Sequence, residues 1–421
     1  MVADPQASTG SAVMIKSGTL KGATSLVAGA YVLSARVRSA GERMALSANG
    51  LQVGTAAVSG GAWKTVSVPV RVSGPTTWGV TPIGGIGSQP SQPLYVDSLA
   101  AQPTTPGYTT SGNKILDPTG QPVTPRGVNR NGLEFQSTGY WMSDYDFGWM
   151  YNWGSTVVRL QLSEAFWLPS SCRYDPNYAA RVDKSVQSIT SRGMIALIDL
   201  HSTQLGLTCG QLVNGKAADD YSLQFWNQVA TRYQSNPMVA FDLFNEPGYP
   251  SDVMWQQGGN YTYSGRTWHL PGMQQLYDAV RATGAGNLVF IEGQKFAYDI
   301  AVGLRQPIDG YGIVYEPHVY YRDDSGPLPP DIDSVILPVA AQYPVFVGEF
   351  GTQLDSGAFN SNVITYSESH NLGWAAFAWN AAGPSGWSLL QSWSTYAPST
   401  QGQPVRDALW KAKGWTSPGG V

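Results

Sequence analysis

The run Met238-Val-Ala-Phe-Asp-Leu-Phe-Asn-Glu-Pro247 is apolar enough for burial on both faces, yet it closes on an asparagine and a glutamate. Near-continuous apolar runs of this kind belong to parallel strands covered on both sides. A carboxyl group is costly on a segment otherwise composed for burial, unless it faces a cleft or a partner. The same construction recurs in Tyr343-Pro-Val-Phe-Val-Gly-Glu-Phe-Gly351, where Glu349 closes the run. Two acids in matching strand-end positions predict a pair aimed into one shared cleft.

Outward from these two runs, apolar strands alternate with helix-compatible segments. Strands are expected over 123–129, 156–162, 194–201, 238–246, 287–292, 312–320, 343–349 and 373–379, with helices between them at 179–192, 223–233, 273–282 and 363–369. Eight such strands predict a (β/α)8 TIM barrel over residues 111–421, with its reactive groups at the C-terminal strand ends.

Residues 1–103 read differently. Short stretches at 12–20, 31–39, 44–48, 63–72, 78–82 and 94–100 alternate apolar and polar residues, with Gly, Ser and Pro between them. This is the pattern of a small all-β antiparallel sandwich. Gly61-Ala-Trp63-Lys-Thr-Val-Ser-Val-Pro69 and Leu94-Tyr-Val-Asp97-Ser-Leu resemble the jelly-roll carbohydrate-binding modules attached to polysaccharide hydrolases. Core packing is the expected role of Trp63, while Trp78 stays open between packing and sugar stacking. A purely stabilising sandwich is the rival to sugar binding by this block. Residues 104–110, within Gln102-Pro-Thr-Thr-Pro-Gly-Tyr108 and onward, form the expected linker.

Charged residues make up 13% of the chain, about half the share in ordinary soluble proteins, so surface polarity must come largely from Ser, Thr, Asn and Gln. That composition suits an exported protein handling neutral polymers. A net charge of -4 supplies no basic stripe for a phosphate backbone, so no nucleic-acid partner is expected. No apolar run approaches the roughly 20 residues of a membrane helix, so no membrane partner is expected either. The first ten residues lack a basic start and an apolar stretch, which reads as a secreted protein's mature form begun at an added Met1. A monomer is expected. The only cysteines, Cys172 and Cys209, each follow a strand end on expected neighbouring strands, and a disulfide between them would fit an oxidising compartment.

Asn129 closes the first expected strand, Arg159 lies in the second and His201 closes the third. Asn245 and Glu246 close the fourth, His318 and Tyr320 the sixth, Glu349 the seventh and Trp379 the eighth. Taken singly, each has a plainer reading: a helix-start turn for Asn-Glu-Pro, a satisfied core histidine, an Arg159 that merely pairs with Asp199. Their joint strand-end register is what points to chemistry. In order, Leu243-Phe-Asn-Glu-Pro247, His318-Val-Tyr320 and Val347-Gly-Glu-Phe-Gly351 resemble glycoside hydrolase family 5 over roughly residues 111–412. The resemblance implies a retaining mechanism, with Glu246 as acid/base and Glu349 as nucleophile. It also implies supporting roles for Arg159, His201, Asn245, His318, Tyr320 and Trp379.

The residue types have physical reasons of their own. A retaining glycosidase holds two carboxyl groups about 5–5.5 Å apart, one to attack the anomeric carbon and one to protonate the departing oxygen. Arg159 near Glu349 would keep the nucleophile ionised, and the Tyr320 hydroxyl would align it. Asn245 can donate to a sugar 2-hydroxyl. Trp379 offers a flat face to a sugar ring, and His201 and His318 offer neutral hydrogen bonds. His269 and His370 read as surface residues. Glu134, Glu164 and Glu292 match no catalytic motif, and Glu316 shares strand parity with His318.

No His-Glu-x-x-His or clustered Cys/His spacing predicts a metal, and no Gly-rich strand-to-helix loop predicts a nucleotide, so no cofactor is expected. Loop aromatics, among them Tyr140, Trp141, Trp255, Trp268, Phe296, Trp387 and Trp393, would suit a cleft longer than one sugar. The expected partner is a β-linked polysaccharide or oligosaccharide, and the family resemblance favours endo-β-1,4-glucanase action. The long 248–271 loop and Gln294-Lys295-Phe296 keep open an exo-β-glucosidase or a disaccharide-releasing diglycosidase, with β-mannanase a third choice. Outside enzymes, the alternative is a non-catalytic glycan-binding barrel.

Overall fold

The structure, a computed structural model, describes residues 2–3, 11–23, 25–72, 74–84, 90–103, 107–140, 142–203, 217–263, 265–320, 327–353, 356–381 and 387–417. The chain divides into two compact units. One is Met1–Val123 with the short segments Gly286–Leu288 and Ile308–Ile313, and the other is Thr124–Ala285, Val289–Pro307 and Val314–Val421.

The first unit contains two antiparallel sheets. One runs in the order Val2–Ala3, Ser11–Ile15, Leu94–Pro103, Gly29–Arg38 and Lys64–Val72; the other runs Leu20–Lys21, Trp78–Ile83, Gly41–Ala48 and Leu51–Ser59. Along Gly29–Arg38, Leu33, Ala35 and Val37 are buried and the residues between them are not, the period-2 signature of a strand with one covered face. These side chains share one core with Met44, Leu46, Val58, Val68, Val80 and Val96. Trp78 joins that core, which settles its role as packing. Trp63 lies just before its strand, half-buried, with the guanidinium groups of Arg36 and Arg38 over its ring at 5.0 and 5.4 Å. A smaller sheet of Thr109–Ser111, Lys114–Leu116 and Pro122–Val123 turns at Pro118-Thr119-Gly120, where the Asp117 carboxylate accepts from the Thr119 and Gln121 amides. Residues 104–106 of the expected linker lie outside the described residues.

The second unit is built on eight strands: β1 (Arg126–Arg130), β2 (Val157–Ser163), β3 (Ile195–Ser202), β4 (Val239–Asp242), β5 (Val289–Glu292), β6 (Ile313–Glu316), β7 (Phe346–Val347) and β8 (Gly373–Ala376). They form one sheet in the order β6-β5-β4-β3-β2-β1-β8-β7, so each strand lies beside its neighbours in sequence. A parallel bridge between Tyr315 and Val345, and pairing of His318 with Glu349, connect the sixth strand to the seventh and nearly close the barrel.

Helices return the chain between strands. Asp220–Tyr233 starts where the Asp219 carboxylate accepts from the Tyr221 and Ser222 amides at 2.8 and 3.2 Å. Its buried stripe is Phe225, Trp226, Val229, Ala230 and Tyr233, at helical spacing. The capping aspartate explains why the helix begins ahead of the expected 223–233 span. Among the described residues no helix is long and apolar enough to cross a membrane.

β4 stops at Asp242, short of the expected span. Beyond it the chain keeps only single bonds to its neighbours, from the Leu243 amide to the Phe290 carbonyl and from the Asn245 amide to the Leu200 carbonyl. Glu246 therefore stands on the segment leaving the strand, at φ 48.

Candidate active site

Every residue of β2 is buried, including Arg159 and Gln161, which alternate with Val158, Leu160 and Leu162. Period-2 alternation turns Arg159 and Gln161 to the same side, the barrel interior. Arg159 there meets five acids. Its Nη1 donates to Glu349 Oε1 at 2.5 Å, its Nη2 lies 2.8 Å from Glu292, 2.7 Å from Asp242 and 3.0 Å from Asp199, and its Nε lies 3.0 Å from Glu316. Burial alone would disfavour the guanidinium charge, but Asp199, Asp242, Glu316 and Glu349 hold the group well above its usual range.

Glu349 is almost completely buried. Its Oε1 accepts from Arg159 and, at 3.0 Å, from Gln161 Nε2, while its Oε2 accepts from the Tyr320 hydroxyl at 2.9 Å. Burial pushes its carboxyl up, but the His318, Arg159 and His201 charges and the tyrosine bond outweigh it and hold the group below the ordinary carboxylate range.

Glu246 differs: its side chain is 35% exposed and its Oε1 lies 3.2 Å from His318 Nδ1. One oxygen of Glu246, one of Glu349 and a His318 ring nitrogen all lie within 4.8 Å of one another. Burial would keep His318 neutral, yet Glu292 and Glu349 raise it well above its usual value, so the ring carries a proton between the two glutamates. His201 Nδ1 pairs with Asp199 Oδ2 at 2.7 Å, and the aspartate overcomes burial to push His201 up to about 9. Asn245 gives its Oδ1 to Arg159 Nη2 at 3.0 Å, which leaves its amide N–H groups to donate elsewhere.

Two residues expected to touch substrate are placed otherwise. Asn129 is fully buried; its Nδ2 donates to the Gly348 and Ala375 carbonyls at 2.8 and 3.1 Å, and its Oδ1 accepts from Arg159. It stitches β1 to the seventh and eighth strands behind the catalytic acids. Trp379 is also fully buried, donates Nε1 to Asp146 at 2.7 Å and packs on Trp153 at 4.7 Å, so it presents no face to a sugar. β8 ends at Ala376, three residues earlier, and strand parity carries no information beyond that end. Trp387 packs perpendicular to Tyr320, the partner of Glu349, at 4.9 Å and lies 6.2 Å from Phe377. Trp141 and Cys209, the expected partner of Cys172, lie outside the described residues. His269 and His370 are exposed, as read from sequence.

Gln161 and the acids Asp242 and Glu292 were not singled out from sequence as site residues. The signal for Gln161 was its two-residue spacing from Arg159. Asp199, Asp242 and Glu292 offer oxygens close enough to hold a cation, and Glu292 and Glu316 do so together with a His318 ring nitrogen. The Arg159 guanidinium already bonds to all four of these acids.

Residues 116–383, more than half of the chain, match the profile described as cellulase, glycosyl hydrolase family 5. The chain belongs to this family. It is a glycoside hydrolase. The family member is 27% identical over 289 residues to a probable endo-β-1,4-glucanase B of Aspergillus niger, covering 61% of this chain and 81% of that one. It is 25% identical over 342 residues to an endoglucanase of Paenibacillus polymyxa, covering 69% and 84%. A β-glucanase from Saccharophagus degradans solved with cellotetraose shares the fold at TM-score 0.58 and 21% identity, covering 74% of this chain and 94% of that one.

Proposed function

We propose that this family 5 hydrolase is a retaining endo-β-1,4-glucanase in which Glu349 is the nucleophile and Glu246 the acid/base. The observation that carries the reading is the pair itself: oxygens of the two glutamates lie within 4.8 Å of one another, Glu349 almost completely buried against Arg159 and Tyr320, and Glu246 with a side chain 35% exposed. Inverting enzymes hold their carboxyl groups about 6.5–9.5 Å apart to admit a water, and this pair is closer. Glu349, ionised by its cationic neighbours, attacks the anomeric carbon while Glu246 gives its proton to the departing oxygen. Water, deprotonated by Glu246, then releases the sugar from Glu349. Asn245, with its oxygen committed to Arg159, donates to the 2-hydroxyl. These steps use only the chain's own groups.

The choice of β-1,4-glucan rests on the names of the Aspergillus niger and Paenibacillus polymyxa relatives. A second reading, release of single or paired sugars from a chain end, is favoured by the segment between β4 and β5. It folds into the helix Asp252–Gln257 and the hairpin Gly259–Tyr263/Arg266–Leu270. One product profile separates them: endo action gives mixed oligosaccharides and a fast viscosity drop on carboxymethyl-cellulose, while a single small product from the outset overturns it. Glu349→Gln and Glu246→Ala that hydrolyse phenyl β-cellobioside, whose leaving group needs a proton, at the parent rate would sink the catalytic assignment.

We further infer an exported monomer whose N-terminal sheets form a jelly-roll module. The low charge of the chain supports export, and a Cys172–Cys209 disulfide belongs to the same proposal, since the two cysteines follow β2 and β3, which are paired neighbours. Two reactive thiols under denaturing, non-reducing conditions would remove the disulfide. Sugar binding by the module has lost its tryptophan platforms, since Trp78 is core and the Trp63 ring is covered by arginines. Retention of the full chain, inactivated at Glu349, on insoluble cellulose would still reveal it.

A further inference from the structure

Glu292 ends β5, fully buried, and its two carboxylate oxygens face different groups. Oε1 accepts from Arg159 Nη2 at 2.8 Å and lies 3.3 Å from His318 Nε2. Oε2 accepts from the backbone amide of Glu246. One side chain thus touches the arginine that holds Glu349, the histidine that touches the Glu246 carboxyl, and the main chain of Glu246 itself. Its own carbonyl accepts from the indole of the fully buried Trp255 at 3.0 Å, which fixes the strand end. Burial raises the Glu292 carboxyl, and His318 and Arg159 draw it back toward ionisation.

The bond to the Glu246 amide matters because of the backbone there. Glu246 is not glycine, yet it stands at φ 48, a conformation that strains an L-residue and persists only where neighbours over-determine it. The Glu246 amide is anchored by a buried carboxylate on the neighbouring strand, and its side chain is met by His318, whose other nitrogen faces the same carboxylate. Loss of Glu292 would remove the first anchor outright and one of the partners of the second.

We propose that Glu292 is a positioning residue for the acid/base Glu246, acting through the Glu246 amide and the His318 ring; this rests on the acid/base reading given above. A merely structural role would lower all activities alike. A positioning role lowers those that need a proton delivered to the leaving group and spares those that do not.

The experiment compares kcat/KM on phenyl and 2,4-dinitrophenyl β-cellobiosides for the parent, Glu292→Gln and Glu246→Ala. The dinitrophenolate leaves without protonation. For Glu292→Gln, kcat/KM should fall at least about tenfold on the phenyl substrate and stay within about threefold of the parent on the dinitrophenyl one. Equal losses on both substrates, or no loss on either, overturn the proposal. Glu292→Asp keeps the charge but shortens the reach to the Glu246 amide, and gives the same contrast if Glu292→Gln does not fold. If Glu246→Ala itself shows no dependence on the leaving group, the acid/base assignment fails and takes the positioning role with it. If Glu246→Ala shows the dependence and both Glu292 variants do not, the positioning role alone falls.

Discussion

Arg159 donates to Glu349 at 2.5 Å from inside a ring of four further carboxylates, Asp199, Asp242, Glu292 and Glu316, all buried. The one guanidinium is therefore both the nucleophile's partner and a support of the barrel interior. Removing one member of a buried ion pair costs about 3–5 kcal/mol because the other is left uncompensated. Arg159→Met should lose stability of that order in denaturant unfolding, and hydrolysis should fall at least about a hundredfold. Parent-like stability would mean that the acids take up protons and no longer need the cation.

Tyr320→Phe removes one donor to Glu349 Oε2 and leaves the ring in place. A hydrogen bond to a charged group is worth about 1.5–3 kcal/mol, so kcat should drop by roughly ten- to a hundredfold. The sign of the pH effect follows from the direction of the shift. Glu349 is held below its ordinary value of 4.5, so it is ionised above that pH, and the acid limb of activity lies below it. Its contribution to stability is likewise present above 4.5 and lost as pH falls through the folded value. In Tyr320→Phe the acid limb should move upward, which a pH–rate profile reads directly.

Glu164 is fully buried, accepts from the Ser222 hydroxyl at 2.9 Å, and is held well above 4.5 by burial and by the Asp219 charge. A raised folded value gives a stability contribution that is complete below about pH 4.5 and declines as pH rises toward the folded value. Glu164→Gln keeps the shape and cannot ionise. Its thermal midpoint should fall less than the parent's between pH 5 and pH 9, both on the order of practical assay limits. Parallel pH profiles would show that Glu164 does not titrate in that window.

Gly348 sits between the strand residues Val347 and Glu349, and a Cβ added there would fall 1.6 Å from Glu316 Oε1. Glu316 is fully buried and paired with Arg159, so yielding to the added methyl would strain that ion pair. Gly348→Ala should destabilise by at least about 1–3 kcal/mol, as overpacking does. It should also lower kcat, since the displaced strand carries the nucleophile; an unchanged denaturation midpoint would contradict the packing.

The parallel barrel was legible because apolar strand runs and capping residues are local signals, and the family and the approach of Glu246 to Glu349 because Asn-Glu-Pro, His-x-Tyr and Gly-Glu-Phe-Gly stand in order at strand ends. What failed was the inference from strand end to sugar contact. Asn129 lies one residue before the end of its strand but points at the Gly348 and Ala375 carbonyls, a tertiary choice that nothing near it in sequence encodes. Trp379 lies beyond the last paired residue of β8, where alternation no longer predicts a face. Glu292 was invisible as a site residue because its partners, Arg159, Glu246 and His318, come from three other strands, and only closure of the barrel brings them together.

The left-handed backbone at Glu246 sets catalysis against durability. Glycine occupies that region without steric penalty, so the fold would accept glycine there more readily than the acid it carries. Glu246→Gly should unfold later than Glu246→Ala by about 1 kcal/mol while both lack the carboxyl group. A directed-evolution campaign that selects only for heat tolerance would therefore be drawn to erase the proton donor, and must be coupled to a screen for turnover.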